Sequence, residues 1–279
     1  MARIIGALTS SHIPSIGNAI SNGKQQDAYW KPFFDGYQSV LQWLDAQQPD
    51  VAIVLYNDHG LNFFLNNLPT FAVGAAQEYI TKDEGWGLPV FPPYRGYPEM
   101  SWHLIESLIE QEFDIAMCQE MAMDHAFINP MRLFWPNENP PKIKTIPVAI
   151  NTVQFPLPRP ARCFALGKAI GHAVASWPTD EKVVVIGTGG MSHQLDGERA
   201  GFINKKFDEM CMEALLNDPE RLARYSALDL VREAGAQGAE IIMWLAARGA
   251  LLGNVSKIHS SYHIPISNTA AGVLALANQ

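Results

Sequence analysis

The stretch VAIVLYNDH occupies residues 51–59. Its first six residues are apolar or aromatic, and a short continuous run of this kind is typical of a strand covered on both faces of a sheet. The polar residues Asn57, Asp58 and His59 follow directly. The sequence therefore predicts a histidine just past the carboxyl end of a buried strand.

Three more histidines follow strand-like runs, the third less directly than the others. They are His12 after RIIGALT at 3–9, His193 after KVVVI at 182–186 and a glycine-rich turn, and His125 after residues 113–118. Stretches of helical periodicity alternate with these runs, as KPFFDGYQSVLQWLDA at 31–46 illustrates. This alternation predicts an α/β fold: a single domain over residues 1–279, with a central, mostly parallel or mixed sheet flanked by helices on both faces.

The carboxyl ends of the predicted strands are the expected place for a ligand site. Ligands of open α/β sheets bind in the crevice beyond these ends, so four of the eight histidines are predicted to share one crevice. A single histidine is more often an ordinary core or loop residue. Here histidines recur at equivalent places after several predicted strands, and this recurrence favours a shared functional site. His103, His172 and His259 lack this placement and are interpreted as packing or surface residues.

Composition narrows the classes of function. The chain is 48% hydrophobic and has a formal net charge of −8, without a basic cluster that would follow a phosphate backbone. Nucleic acid is therefore not expected as a partner. No secretory signal opens the sequence, and no run approaches the roughly 20 apolar residues that cross a bilayer, so we expect a cytoplasmic protein. Cys118, Cys163 and Cys211 are expected to be ordinary reduced residues.

A histidine cluster suggests a metal. Two neutral imidazoles and one carboxylate form a facial ligand set for Fe(II) that leaves positions open for a substrate and oxygen. Glu240 is the best candidate carboxylate, because the window GAEIIMWL at 238–245 is otherwise almost wholly apolar. An equally ordinary role for Glu240 is a first-turn helix residue that interacts with the helix dipole. Glu84, Asp58 and Asp124 are rivals, and the last two adjoin candidate histidines, which suits residues that orient a histidine ring.

Four motifs are similar to those of a known family. They are TSSHIP at 9–14, YNDH at 56–59, GTGGMSHQL at 187–195 followed by GERAG, and YHIPISNTA at 262–270. Together they span nearly the whole chain, and GTGGMSHQL is long and distinctive. The chain resembles the large (β) subunits of class III extradiol dioxygenases of the protocatechuate 4,5-dioxygenase type, the LigB superfamily.

The resemblance implies roles for individual residues. His12, His59 and Glu240 fall where the family binds its Fe(II) ion, and His193 falls where it has its catalytic base. His125 matches a further active-site histidine of the family, placed to hydrogen-bond the oxygen or the reacting ring.

The same resemblance places two residues at the substrate. Ser267 and Asn268 lie where family members contact the ring carboxylate, and both side chains donate hydrogen bonds that suit an anion. A polar loop or a helix N-cap is the alternative role for this pair, since an Ala- and Leu-rich run follows.

The implied reaction is ring opening outside the diol with Fe(II) and O2. Protocatechuate or a close catecholic acid would give a carboxy-hydroxymuconate semialdehyde, and gallate, a methylated gallate or 2-aminophenol is an alternative substrate. A zinc-dependent hydrolase would use the same ligand types. A binding protein of this fold is disfavoured because the ligand positions are intact. The resemblance also implies a separate small helical α subunit as partner, in a heterotetramer of two α and two β chains.

Overall fold

The predicted central sheet is present in the computed structural model, which describes residues 1–264 and 268–279. In chain order, the strands are β1 (Arg3–Ser10), β2 (Val51–Tyr56), β3 (Phe71–Gly74), β4 (Glu78–Thr81), β5 (Tyr94–Arg95), β6 (Ala116–Cys118), β7 (Ala122–Met123), β8 (Lys144–Ile150), β9 (Lys182–Thr188), β10 (Val255–His263) and β11 (Ala271–Asn278). Eight of them form one sheet in the order β10-β11-β1-β9-β2-β8-β3-β6, and β5-β4-β7 form a small second sheet.

The centre of the large sheet is parallel and its flanks are mixed. The neighbours β1, β9, β2 and β8 run parallel, so their carboxyl ends meet at one edge. Antiparallel pairing adds β11 to β1, β10 to β11 and β3 to β8. The predicted α/β fold with a mixed sheet is confirmed, and the parallel centre brings the predicted site segments to a common edge.

Helices cover both faces of this sheet. They are α1 (Pro14–Ser21), α2 (Lys31–Asp35), α3 (Gln38–Gln47), α4 (Pro98–Glu110), α5 (His125–Phe134), α6 (Pro160–Ser176), α7 (Lys205–Asn217), α8 (Pro219–Ala223), α9 (Ala227–Ala234) and α10 (Ile241–Gly249), with a 3-10 turn at Gln237–Glu240. One core contains Leu104, Ile170 and Trp244 of α4, α6 and α10, and the other contains Val40 and Phe127 of α3 and α5. All six residues of β2 are buried, which explains its continuous apolar sequence.

Two predicted elements differ from the structure. The helix expected over residues 31–46 is two helices, α2 and α3, separated at Gly36, where a Cβ would lie 2.6 Å from Ser261 Oγ. The strand expected over residues 113–118 is shortened to β6, because the Phe113 amide bonds to Leu108 O at the end of α4. In the described ranges, no helix is both long and apolar enough to cross a membrane.

Candidate active site

The candidate site lies beyond the carboxyl ends of the parallel strands. His12 is two residues past β1, His59 is three residues past β2, and the turn after β9 leads to His193. This is the placement that the sequence predicted. His125 reaches the same place differently, as the first residue of α5, whose N-cap Asp124 accepts a hydrogen bond from the Ala126 amide.

Three imidazole rings are in mutual contact. The ring centroids are separated by 5.5 Å for His12 and His59, 5.3 Å for His12 and His125, and 4.3 Å for His59 and His125. One nitrogen of each lies within 4.8 Å of the others, so the three offer a possible metal-binding set. His12 and His125 are buried and His59 is partly exposed, so His59 is the most accessible of the three rings.

His12 is fixed from three directions. Its Nδ1 lies 3.2 Å from Thr188 Oγ1 at the end of β9, and its Nε2 lies 3.5 Å from Glu240 Oε2. Its carbonyl oxygen accepts a hydrogen bond from Asn129 Nδ2 of α5 at 3.0 Å. The turn after β1 is therefore held between the sheet and a helix, and the ring has little freedom to rotate.

Glu240 is a buried, ionised carboxylate at the junction between the 3-10 turn and α10. Its Oε2 accepts the Gly190 amide at 2.7 Å, and its Oε1 accepts Asn57 Nδ2 at 3.2 Å. Burial alone would raise its pKa, but the neighbouring histidines in their protonated forms, first His12 by charge and hydrogen bond and then His193 and His59 by charge, lower the pKa to about 2. A buried charge requires such partners, and the histidine cluster supplies them.

The glycines of the GTGG turn allow Glu240 to approach. Gly189 has φ +119°, and a Cβ there would lie 2.7 Å from Glu240 Cβ. A Cβ on Gly190 would lie 3.6 Å from Glu240 Oε2 and 3.6 Å from His193 Nδ1. Glutamate and histidine therefore border the same small space, and a side chain at Gly190 would enter it.

Asp124 and Asn57 orient His59. Asp124 Oδ2 accepts the His59 amide at 2.8 Å and lies 3.0 Å from Nδ1, so Nδ1 carries the proton. Nε2 lies 3.2 Å from Asn57 Nδ2, the same amide that donates to Glu240. Burial would lower the pKa of His59, but Asp124, Glu240 and Asp58 outweigh burial and raise it. The orienting role predicted for Asp124 agrees with these contacts.

Asp58 has a different role from the one predicted. Its carboxylate accepts hydrogen bonds from the backbone amides of Gly60, Asn62 and Phe63, at 3.1 to 3.2 Å. It therefore orders the loop after His59 and hydrogen-bonds to none of the described histidine rings. Adjacent residues in an extended segment point in different directions, and this explains the difference.

His193 has a free ring nitrogen inside the site. Its amide donates to Ala234 O at 2.7 Å, and its carbonyl oxygen accepts the amides of Gln237 and Gly238. Nδ1 is buried and has no hydrogen-bond partner among the described residues. Burial lowers the pKa of His193, Glu240 opposes this, and His12 and His59 add to the lowering. The imidazole is therefore neutral near pH 7 and able to accept a proton.

Several residues in or beside the site were not assigned these roles from the sequence. In the sequence, Asn57 stood out only as part of the YNDH motif, and no motif or spacing indicated a role for Asp208. Asp208 accepts hydrogen bonds from the amide and hydroxyl of Ser192, at 2.9 and 2.8 Å, and from Tyr262 at 2.8 Å. Burial raises its pKa to about 6. Asp208 thus supports the residue that precedes His193.

Glu84 was expected only as a rival metal ligand. It contacts His125 Nδ1, and one donor atom each from His59, Glu84, Asp124 and His125 lie within 4.8 Å of one another. Glu240 contacts His12, Asp124 contacts His59 and Glu84 contacts His125. More than one carboxylate therefore lies beside the imidazoles, and Asn57 hydrogen-bonds to both Glu240 and His59.

The two predicted substrate residues are not equally described. Ser267 lies outside the described residues. Asn268 is exposed, and its Oδ1 lies 3.4 Å from the position of a Cβ on Gly201. Their assignment to a ring carboxylate stays a prediction. A separate cleft of about 920 Å³, bordered by Asp50 and Lys144, lies at the other edge of the sheet and shares no residue with the histidine cluster.

The donor atoms fit a divalent metal. Neutral imidazoles with an ionised, buried carboxylate are the ligand types of facial iron sites, and they also suit zinc. The Asn57 amide donates toward both His59 Nε2 and Glu240 Oε1. A bound cation would engage lone pairs of these same atoms. The described donor atoms that lie within 4.8 Å of one another form two groups, the three imidazoles, and His59 and His125 with Glu84 and Asp124. Glu240 contacts His12 but belongs to neither group. With the free Nδ1 of His193 alongside, the arrangement offers candidate metal ligands and a proton acceptor.

The chain is similar to known aromatic ring-opening dioxygenases. Residues 6–273 match the family described as the catalytic LigB subunit of aromatic ring-opening dioxygenase. A gallate dioxygenase of Pseudomonas putida is 38% identical over 197 residues, which cover 71% of this chain and 58% of that protein. A 2,3-dihydroxyphenylpropionate/2,3-dihydroxicinnamic acid 1,2-dioxygenase of Photorhabdus laumondii is 27% identical over 239 residues, covering 84% of this chain and 71% of that protein.

A solved structure supports the fold alone. An uncharacterized protein from Escherichia coli K12 superimposes with a TM-score of 0.61 over 97% of this chain and 99% of that one, at 14% sequence identity. The match with the gallate dioxygenase spans little more than half of that protein's length.

Proposed function

The chain belongs to the LigB family of catalytic subunits of aromatic ring-opening dioxygenases, and we propose that it is an Fe(II)-dependent extradiol dioxygenase that cleaves a catecholic acid. The observation that carries the proposal is the buried, ionised Glu240, whose Oε2 lies 3.5 Å from His12 Nε2 at the edge of the histidine cluster. An ionised carboxylate beside neutral imidazoles is the donor set that this chemistry needs.

We assign the metal to His12, His59 and Glu240. When bound there, Fe(II) would supply coordination positions for both catechol oxygens and for O2. Thr188 and Asp124 hold the Nδ1 atoms of the two histidines, so Nε2 is the nitrogen that each would offer to the cation, which at His59 would replace the contact with the Asn57 amide. Such outer contacts fix the tautomer and orientation of a ligand ring.

His193 is the proposed base. Its Nδ1 is buried, has no partner among the described residues and borders the same space as Glu240. A neutral imidazole at this place would take a proton from a substrate hydroxyl on binding and return it to the product. His125, whose ring lies beside those of His12 and His59, would hydrogen-bond the oxygen or the ring. Ser267 and Asn268 would bind the substrate's carboxylate.

Protocatechuate and gallate are the leading substrate candidates. The residues resemble those of protocatechuate-cleaving enzymes, whereas the relative with 38% identity is a gallate dioxygenase. Both acids present adjacent hydroxyls and a carboxylate, so the proposed ligand set and anion contacts serve either. A methylated gallate and 2-aminophenol complete the panel of alternatives.

A small helical α subunit is the proposed partner, in a heterotetramer of two α and two β chains. Large apolar side chains are exposed in the loops that carry the site residues, which supports a covering protein. Phe64 and Leu65 follow His59, Trp86 contacts His125, and Leu195 follows His193. Oxygen uptake by the chain alone and after co-purification with the products of its neighbouring genes tests this. Equal activity would argue against a required partner.

Anaerobic loading with Fe(II), followed by oxygen uptake with each acid, tests the proposed function. We expect uptake of one O2 per substrate and an open-chain product whose absorption identifies the cleaved ring. Protocatechuate would give a semialdehyde, whereas gallate would give a keto acid because its cleaved carbon carries a hydroxyl. The matched control is Glu240→Gln, which preserves shape and removes the charge. Hydrolytic activity with Zn(II) and no oxygen uptake with any of the acids would instead support a zinc hydrolase.

A further inference from the structure

Glu84 contacts the histidine cluster from a loop that the proposed mechanism does not use. The loop connects β4 to β5, and its base is closed by two hydrogen bonds of 2.7 Å between Thr81 Oγ1 and the backbone of Phe91. Within it, the Asp83 carboxylate accepts the amides of Trp86, Gly87 and Leu88 at 2.9 to 3.1 Å. The segment is thus a defined turn, and its conformation directs Glu84.

The Glu84 carboxylate is buried against one partner. Its side chain is 5% exposed and contacts His125 Nδ1, and its second oxygen has no partner among the described residues. The next aromatic residue, Trp86, is 53% exposed, and its ring centroid lies 6.4 Å from that of His125. Because burying a carboxylate costs free energy, a side chain placed for packing alone would be apolar here. The contact with His125 therefore explains why a carboxylate occupies this position.

That contact determines which nitrogen of His125 is available to the site. A carboxylate accepts a proton donor, so the neutral ring carries its hydrogen on Nδ1 and leaves Nε2 as the free nitrogen. The ring lies 5.3 Å from His12 and 4.3 Å from His59, centroid to centroid, so Nε2 is the atom that can serve the cluster. Asp124 fixes His59 in the same way through Nδ1.

We propose that Glu84 is a positioning residue for ring cleavage, acting through His125: it fixes the ring and its tautomer so that Nε2 faces the reacting groups. This inference rests on the proposed dioxygenase function. Glu84 is the carboxylate partner of His125 as Asp124 is of His59, and the β4–β5 loop is therefore part of the active site.

A double-mutant cycle on activity tests the coupling. Glu84→Ala should lower kcat about tenfold or more, with KM changed less than about threefold and iron content unchanged, and Glu84→Gln should restore much of kcat because its amide oxygen still accepts from Nδ1. In a His125→Ala background, Glu84→Ala should have no further effect on kcat. Glu78→Ala, an exposed glutamate on β4, is the matched control and should resemble the unchanged protein.

A spectroscopic readout separates this inference from the proposed function. In the metal-free protein, the ¹⁵N shifts of His125, assigned by their loss in His125→Ala, should show a protonated Nδ1 that Glu84→Gln retains and Glu84→Ala loses. Equal loss of kcat from Glu84→Ala in both backgrounds, loss of iron in that variant, or an unchanged tautomer would overturn the role of Glu84. If the unchanged protein consumes no oxygen with any catecholic acid, the proposed dioxygenase function is wrong. The tautomer of His125 would still test its pairing with Glu84.

Discussion

His12 Nε2 lies 3.5 Å from Glu240 Oε2, although the two residues are near opposite ends of the sequence. The contact joins the turn after β1 to the start of α10 across the carboxyl edge of the sheet. It places a buried negative charge against the histidine cluster. The pair adds a carboxylate beside imidazoles that already form a possible metal-binding set.

Removal of any proposed ligand should empty the metal site. We expect His12→Ala, His59→Ala and Glu240→Gln to weaken Fe(II) binding at least about a hundredfold, since loss of mere supporting contacts already costs 10 to 100-fold. Metal analysis after anaerobic loading and gel filtration provides the measurement. His172→Ala, an exposed histidine on α6, is the control. Iron retained at full stoichiometry by Glu240→Gln would remove Glu240 from the ligand set.

His193→Ala should separate metal binding from turnover. We expect iron content to be unchanged and kcat to fall about 10² to 10⁴-fold, the range that a general base contributes. The reason is that Nδ1 faces the site but is not needed to hold the cation. Full activity in this variant would refute the base assignment.

Asn57→Ala should weaken the metal site without removing a ligand. The Asn57 amide donates to Glu240 Oε1 at 3.2 Å, and this contact can persist while Glu240 Oε2 faces the cation, so its loss frees the carboxylate to move. We expect the affinity for Fe(II), measured by competition with a chelator, to fall about 10 to 100-fold. Asn66→Ala, in the exposed part of the following loop, is the control. An affinity equal in both variants would assign Asn57 to packing only.

Asp208 should make stability depend on pH. Burial raises its pKa from 3.8 to about 6, so the folded protein holds this proton more tightly than the unfolded chain. The associated stabilisation is complete below about pH 4 and is lost as pH rises through about 6. Asp208→Asn keeps an acceptor oxygen for Ser192, replaces the oxygen that accepts from Tyr262 by an amide that can donate to it, and removes the titration.

The melting temperature measures this effect. Between pH 5 and 8, the melting temperature of Asp208→Asn relative to the unchanged protein should rise. The exposed Asp180→Asn control should show a constant difference. A constant difference for Asp208→Asn as well would mean that Asp208 titrates normally.

Ser267→Ala should affect acidic substrates selectively. A hydrogen bond to a charged group contributes about 1.5 to 3 kcal/mol, so loss of one to the ring carboxylate should raise KM for protocatechuate about tenfold or more. Catechol lacks this carboxylate, and its KM should change little. An equal change for both substrates would place Ser267 outside the substrate site.

The sequence was sufficient for the fold class and for three of the histidines. The apolar runs ending near His12, His59 and His193 reflect strands buried on both faces, and a parallel arrangement necessarily brings their carboxyl ends together. Predictions failed where a tertiary contact decided the local structure. Gly36 interrupts a helix because β10 passes beside it, and the Phe113 amide completes a helix end instead of a strand.

The sequence by itself determined which segments become strands and that imidazoles gather at their ends, because periodicity and burial are encoded locally. Only the tertiary structure decided which carboxylate meets which ring. Asp58 and Asp124 each adjoin a histidine in the sequence, yet one orders a loop and the other orients His59. Glu84 reaches His125 through a turn that Asp83 shapes. Such pairings depend on side-chain direction and on distant segments, and neither is set by spacing along the chain.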